Sequence, residues 1–204
     1  MPEQVESFLS DNCPPMGIYE TLYAFRDTFG SFMGTKGTHP WSQGFPLTTP
    51  LEKFGGPPLP DSVDVTWEDR FYPKAWGHPE LRGAIVDFYN SRYGSSITPE
   101  NVMVFAGGRP GIYTVMAFLK EHIKVRIGNI EWPAYLDIMT QTNTEYEIVP
   151  FTKENGFHPL NSEYFDRTGV NEGTGLMPVI SNPQNPSGQT RHGEELKELI
   201  EMAE

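Results

Sequence analysis

Apolar residues recur at helical spacing in four parts of the chain. Tyr19–Phe32 shows a modest amphipathic pattern. A clearer pattern begins at Pro79 and ends at Gly94, which suits a helix because proline favours its first turn and glycine the position after its last. Two further helices are predicted, one after Gly111 and one over Glu194–Ala203.

Short apolar runs lie between these helices and predict buried strands. One run contains Pro178, which is unusual because proline cannot donate a hydrogen bond to a neighbouring strand. Strands that alternate with helices predict an α/β fold, with a mostly parallel sheet and flanking helices. In such folds, ligands bind beyond the carboxyl ends of the strands. The runs are Val102–Phe105, Lys124–Ile127, Ile148–Phe151 and Leu176–Ile180.

The regular pattern is missing from the first part of the chain. Residues 1–60 contain many helix and strand breakers, such as Pro14-Pro15 and Gly55-Gly56-Pro57-Pro58. We therefore predict an irregular N-terminal arm over residues 1–60 and an α/β domain over residues 61–204.

Composition narrows the class of protein. Acidic residues outnumber basic ones by 27 to 15, and a surface with a net charge of −12 repels nucleic acid. A small phosphorylated ligand is still compatible with this charge, because backbone amides can bind phosphate locally. No apolar run reaches membrane-spanning length, so no membrane partner is expected, and no residues suggest a metal site. A single cysteine, Cys13, and the absence of a charged-then-apolar leader favour a reducing, cytoplasmic compartment.

A glycine-rich turn, Gly107-Gly108-Arg109, lies between a predicted strand and a predicted helix. Glycines let the backbone come close to a ligand, and the start of a helix presents free N–H groups and a partial positive charge to an anion. The turn is therefore either a phosphate site or a purely structural connection between strand and helix.

Two other side chains have both a binding and a structural interpretation, and a third has only a structural one. Asn185 lies in an Asn-Pro-Ser-Gly loop after a strand, where prolines can fix its amide to donate to a phenolate oxygen, or where it can cap its own backbone. Trp132 can stack on a flat heteroaromatic ligand or fill the core. Tyr72, five residues before Gly77, fits a surface or a core position.

Together and in this order, these segments resemble the class I/II aminotransferases of fold type I. The resemblance runs from about Trp41 to the last residue. It rests on Ser42–Pro46, on Tyr72 followed by Gly77–Arg82, on Val104–Gly111, on Trp132 and on Asn182–Gly188.

The resemblance implies pyridoxal 5′-phosphate (PLP) as cofactor and assigns a role to each of these segments. The backbone amides of Gly108 and Arg109 would hold its phosphate, Trp132 would stack on its pyridine ring, and Asn185 would contact its ring hydroxyl group. The backbone of Gly44 would lie beside the substrate carboxylate. Tyr72 would reach the phosphate bound by the neighbouring subunit, which implies a homodimer with shared active sites. Residues 1–60 would then also contribute part of a small domain, and residues 61–204 would begin the large, PLP-binding domain.

The sequence departs from the family pattern in two ways. Arginine replaces a small or hydroxyl-bearing residue at position 109, and its side chain would either pair with the phosphate or point away. The family's pyridine-binding aspartate, Schiff-base lysine and carboxylate-binding arginine are expected beyond Glu204, so no catalytic residue is identified here.

The implied reaction is transfer of an amino group between an amino acid and a 2-oxo acid. Two alternatives stay open from the sequence. One is a lyase, a decarboxylase or an oxidative enzyme that uses PLP on the same fold. The other is a non-catalytic, cofactor-binding fragment that acts by associating with another chain.

Overall fold

The structure is a computed structural model that describes residues 18–35, 37–38, 62–72 and 74–204. The chain divides into two compact units, residues 1–71 and 72–204. Gly44 and most of the predicted arm lie outside the described residues. Within the described residues, none of the helices combines the length and the apolar character that a membrane span requires.

The first unit contains the helix predicted over Tyr19–Phe32. Helix α1 spans Ile18–Phe29 and ends three residues earlier than predicted. Its last turn is closed by Gly30, which adopts a left-handed conformation (φ 74°) and donates its N–H to the carbonyl of Arg26 at 2.7 Å. A 3₁₀ turn, Glu68–Arg70, lies near the end of this unit.

The second unit opens with two helices separated by a turn. Helix α2 spans Pro79–Tyr93, and Gly94 ends it in a left-handed conformation, as the sequence predicts. A 3₁₀ turn at Pro99–Asn101 follows. Helix α3 spans Gly108–Ala117 and begins earlier than predicted, so that the glycine-rich turn forms its first residues.

A three-stranded parallel sheet follows in the order β2-β1-β3. The strands are β1 (Ile123–Gly128), β2 (Tyr146–Val149) and β3 (Gly175–Val179), and Ile127 aligns with both Ile148 and Val179. The connecting helices are α4 (Ala134–Gln141) and α5 (Asn161–Tyr164), and α6 (Gly193–Ala203) ends the described chain. The predicted α/β fold with a parallel sheet is confirmed.

Two strand predictions need correction. Val102–Phe105 is extended but pairs with no strand among the described residues; the N–H of Val104 donates instead to the carbonyl of Trp76 at 3.0 Å. The strand predicted over Ile148–Phe151 begins two residues earlier and ends before Pro150, which has no N–H to continue the ladder. Pro178 is tolerated in β3 because β3 has a neighbour on one side only within the described sheet.

The core lies between β1 and the helices that cover it. Val125 and Ile127 of β1 are fully buried, and Met139 of α4 packs against them. Gly128 ends β1 at a point where a Cβ would collide with the ring of Phe151, so only glycine permits this close approach. A second buried cluster forms around Val149, Phe151 and Tyr164. The sheet is thus held rigidly below the loops that leave its carboxyl edge.

Candidate functional site

Two loops leave the carboxyl edge of the sheet side by side and are bound to each other. The loop after β1 carries Trp132, and the loop after β3 carries Asn185. The backbone N–H of Ser181 donates to Oε1 of Glu131 at 3.2 Å, and the side-chain amide of Gln184 donates to the carbonyl of Ile130. These two hydrogen bonds fix the loop that carries Trp132 relative to the loop that carries Asn185.

The start of α3 presents free backbone donors. Gly107 precedes the helix at a φ of 98°, a conformation that favours glycine. The N–H groups of Gly108 and Arg109 lie in the first turn, where no helical carbonyl can accept from them, and both residues are exposed. A Cβ added to Gly107 or Gly108 would meet no atom of the described residues within 4 Å, so this part of the structure leaves space around the turn. The arrangement can receive an anion.

The structure brings this turn to the predicted stacking ring. The guanidinium carbon of Arg109 lies 5.2 Å from the centroid of the Trp132 ring. Trp132 is half-buried and makes an edge-to-face contact with Tyr135, at 5.4 Å between centroids and 87° between ring planes. The indole therefore contacts both the ring of Tyr135 and the guanidinium of Arg109, which restrict its orientation.

The two asparagines of the Asn-Pro-Gln-Asn-Pro segment differ in their environment. The side chain of Asn182 is fully engaged, because it accepts from the N–H of Arg191 and donates to the carbonyl of Arg191, both at 2.9 Å. Asn185 is exposed. Of these two amides, the one at position 185 is thus open to a ligand.

Buried polar residues below the loops were not predicted from the sequence. Glu131 and Gln184 are 8% and 4% exposed, although both residue types usually lie at the surface. Burial raises the pKa of the Glu131 carboxyl, whereas hydrogen bonds from Ser181 and Trp132 and the charge of Arg191 act in the opposite direction. The sequence offered one indication of their role. Glu131 directly precedes Trp132, and Gln184 directly precedes Asn185.

The two remaining candidate residues are Tyr72 and Gly44. Tyr72 is fully exposed, and Gly44 lies outside the described residues. The four residues Gly108, Arg109, Trp132 and Asn185 occupy the loops and helix start just described. Among the described residues, no cluster of histidine, cysteine and acidic side chains could hold a metal ion.

Comparison with known proteins agrees with this arrangement. A family model described as aminotransferase class I and II matches residues 66–204. The chain belongs to this aminotransferase family. The match includes every site segment that the structure describes at the carboxyl edge of the sheet.

Individual aminotransferases are similar to the chain over part of their length. Aspartate aminotransferase from Pyrococcus horikoshii is 32% identical over 144 residues, which make up 70% of this chain and 36% of the relative. Transaminase BacF from Bacillus subtilis is 35% identical over 114 residues, or 55% of this chain and 28% of the relative. The chain thus spans about a third of the length of these relatives.

Solved aminotransferase structures share the fold. Aspartate aminotransferase from Thermus thermophilus with maleate superposes with a TM-score of 0.57 at 25% identity, over 65% of this chain and 34% of that one. Substrate-bound BacF from Bacillus subtilis gives a TM-score of 0.69 at 22% identity, over 94% of this chain and 47% of that one. The chain has the fold of the fold-type I aminotransferases.

Proposed function

We propose that this protein binds PLP and catalyses transfer of an amino group between an amino acid and a 2-oxo acid. The observation that carries the proposal is the contact between Arg109 and Trp132 at 5.2 Å, which joins the exposed start of α3 to an aromatic ring. PLP has the two matching parts, a phosphate and a flat heteroaromatic ring, on one small molecule.

The residues present fit the phosphate of this cofactor. The amides of Gly108 and Arg109 lie in the exposed first turn, at the positive end of a ten-residue helix. Within the described residues, the Arg109 guanidinium has no carboxylate partner and lies over the ring of Trp132. It is therefore available for a charge-assisted hydrogen bond to phosphate. This local positive charge offsets the net charge of −12 at the point where an anion would bind.

The ring of the cofactor would lie against Trp132, with the amide of Asn185 donating to its ring oxygen. A donor at that oxygen favours the phenolate form and lowers its proton affinity. When bound, PLP supplies an electron sink for bond cleavage at the α-carbon of an amino acid. The chain's own residues orient the cofactor, and Trp132 shields one face of its ring from water.

Several parts of the proposal concern the whole protein. Relatives are named as aspartate and aspartate/prephenate aminotransferases. We propose that the substrates are an amino acid and a 2-oxo acid, without assigning a particular pair. Gly44 would lie beside the substrate carboxylate. The full exposure of Tyr72 supports its assignment to the site of a second subunit, and hence a homodimer with shared active sites. A cytoplasmic location, inferred from the single cysteine, is part of the same proposal.

Two measurements on the intact protein test the proposal. Titration with PLP should give saturable binding that is followed by the absorbance of the cofactor. Incubation with a 15N-labelled amino acid and an unlabelled 2-oxo acid should move the label into a new amino acid. Release of labelled ammonia or of carbon dioxide would instead indicate a lyase, an oxidative enzyme or a decarboxylase, and absence of saturable PLP binding would contradict the proposal as a whole.

A further inference from the structure

The loop that carries Asn185 is closed by its own hydrogen bonds. We call residues 182–191 the Asn–Pro loop. Its first and last residues are joined, because both polar atoms of the Asn182 side chain bind the backbone of Arg191 at 2.9 Å. Inside the loop, the N–H of Gly188 donates to the carbonyl of Gln184 and the N–H of Gln184 to that of Gln189, each at 2.7 Å. The loop is therefore one rigid unit, whose position depends on how it is anchored.

Arg191 anchors this unit to the body of the protein. Its side chain is 3% exposed, and Nε donates to Oδ1 of Asn161 at 3.0 Å while Nη2 donates to the carbonyl of Pro159 at 2.6 Å. Nε also lies 3.4 Å from Oε1 of Glu195, and the guanidinium faces the ring of Tyr164 at 5.4 Å. A buried cation is costly unless partners surround it, so these contacts allow few alternative positions.

The partners of Arg191 lie outside the Asn–Pro loop. Asn161 and Tyr164 belong to α5, and Glu195 belongs to α6. Oε1 of Glu195 is also held by Nε2 of His158 at 2.5 Å, and the side-chain amide of Asn161 donates to Oε2 of Glu198 at 2.7 Å. Arg191 therefore links α5 and α6 to the Asn–Pro loop. Its side chain contacts both helices, and its backbone binds Asn182 at the other end of the loop.

We propose that Arg191 is a positioning residue for cofactor binding, which fixes the Asn–Pro loop so that the amide of Asn185 meets the bound cofactor. The inference rests on the proposed PLP function. Arg191 does not touch the cofactor; it acts through Asn182 and the loop. An arginine is required because Nε and Nη2 bind two acceptors in a fixed plane, which the single ammonium group of lysine cannot reproduce.

The test compares Arg191 with a second buried arginine. Arg126 of β1 has a side chain that is 9% exposed, with Nη2 donating to the carbonyl of Asp166 at 2.6 Å and Nη1 paired with Glu147 at 2.6 Å. Arg191→Lys and Arg126→Lys thus remove similar contacts, and only the first lies at the Asn–Pro loop. Unfolding temperature, PLP dissociation constant and absorbance maximum of the bound cofactor are measured for both variants in the intact protein.

Arg191→Lys should raise the PLP dissociation constant about tenfold, the effect of one lost hydrogen bond, and should shift the cofactor absorbance. Arg126→Lys should leave the dissociation constant and the cofactor absorbance unchanged, even if its unfolding temperature falls as far as that of Arg191→Lys. Asn161→Ala, which removes an acceptor of Arg191 outside the loop, should act in the same direction as Arg191→Lys. If Arg191→Lys and Asn161→Ala bind PLP like the wild-type protein, or if Arg126→Lys weakens binding equally, the inference is wrong.

A double variant shows whether Arg191 acts on PLP binding through Asn185 or weakens the binding site independently of Asn185. If Arg191 acts through Asn185, adding Arg191→Lys to Asn185→Ala should cost no further affinity, whereas independent effects would multiply. Multiplied effects would overturn the inference. Saturable PLP binding by the wild-type protein is the reference for every comparison, so its absence would contradict the proposed function, while failure of the variants alone would contradict only the role of Arg191.

Discussion

The guanidinium of Arg109 lies over the indole ring of Trp132, with 5.2 Å between the guanidinium carbon and the ring centroid. The contact joins the first turn of α3 to the loop after β1. An exposed cation–π contact contributes only about 0.5–1 kcal/mol, whereas an arginine–phosphate pair is charge-assisted and can be bidentate. We therefore expect the Arg109 side chain to exchange the ring for a phosphate when one is bound.

Arg109→Gln should weaken binding of PLP more than binding of pyridoxal, which lacks the phosphate. The expected loss is about tenfold or more for PLP, because charge-assisted hydrogen bonds are stronger than neutral ones. Titration of both compounds, followed by absorbance, measures the difference. Arg92→Gln, at another exposed arginine on α2, is the control. Equal losses for PLP and pyridoxal would show that the guanidinium does not reach the phosphate.

The two asparagines of the Asn–Pro loop should give opposite results when each is changed to alanine. Asn185 is exposed, so Asn185→Ala should change the free energy of unfolding by less than about 0.5 kcal/mol but weaken PLP binding and shift its absorbance. Asn182→Ala removes two hydrogen bonds to Arg191 and should cost about 1–3 kcal/mol. Urea unfolding and PLP titration of both variants test this pair. Unchanged cofactor affinity and absorbance in Asn185→Ala would refute its assignment.

Glu131 should make stability depend on pH. Burial raises the pKa of its carboxyl above the ordinary value of 4.5, so the folded protein retains this proton to a higher pH than the unfolded chain. Its contribution is fully present below pH 4.5 and is lost as the pH rises through the raised pKa. The free energy of unfolding of the wild-type protein should therefore fall relative to that of Glu131→Gln over this range. Urea unfolding at several pH values checks the sign, and a wild-type free energy of unfolding that rises relative to that of Glu131→Gln as the pH increases would contradict it.

The phenol of Tyr164 should lose its proton at a higher pH than an ordinary tyrosine. Burial raises the pKa of Tyr164 from 10.0 to about 12, which exceeds the pKa of an ordinary tyrosine. Its contribution to stability is present below pH 10 and lost between pH 10 and 12, by up to about 2–3 kcal/mol relative to Tyr164→Phe. The difference in near-ultraviolet absorbance between the two proteins, followed during alkaline titration, isolates this step. A midpoint at the ordinary value would mean that the hydroxyl is hydrated.

Tyr72 provides a test of shared active sites. If Tyr72 completes the site of the other subunit, mixing Tyr72→Phe with Asn185→Ala should create heterodimers with one intact site and one doubly altered site. Random pairing then restores about a quarter of the wild-type sites. PLP binding at low concentration, before and after subunit exchange, measures the recovery. No recovery despite exchange would place Tyr72 in its own subunit's site or outside it.

Local signals predict much of the fold. Pro79 and Gly94 bound α2, and the apolar run over β1 is correctly assigned, because capping residues and hydrophobic spacing act over short distances. Val102–Phe105 is equally apolar but has no strand beside it in the described sheet. Its pattern resembles that of a strand, but pairing depends on residues elsewhere in the chain. The short helices α4 and α5 were missed because eight and four residues give too few periods to recognise.

The candidate site was only partly predictable. The order of the motifs led to Gly108, Arg109, Trp132 and Asn185, and their roles stay predictions. The supporting residues Glu131, Gln184 and Arg191 were not found, because their partners lie 50, 54 and 30 residues away along the chain. Burial of such polar side chains is decided by tertiary contacts, which a pattern of neighbouring residues does not reveal.

A crystal structure of the intact protein with PLP tests the central claim most directly. We expect the phosphate within hydrogen-bonding distance of the amides of Gly108 and Arg109, the pyridine ring against Trp132, and the side-chain amide of Asn185 at the ring oxygen. A cofactor bound elsewhere, or one whose phosphate lies away from the start of α3, would contradict the site and the function proposed from it.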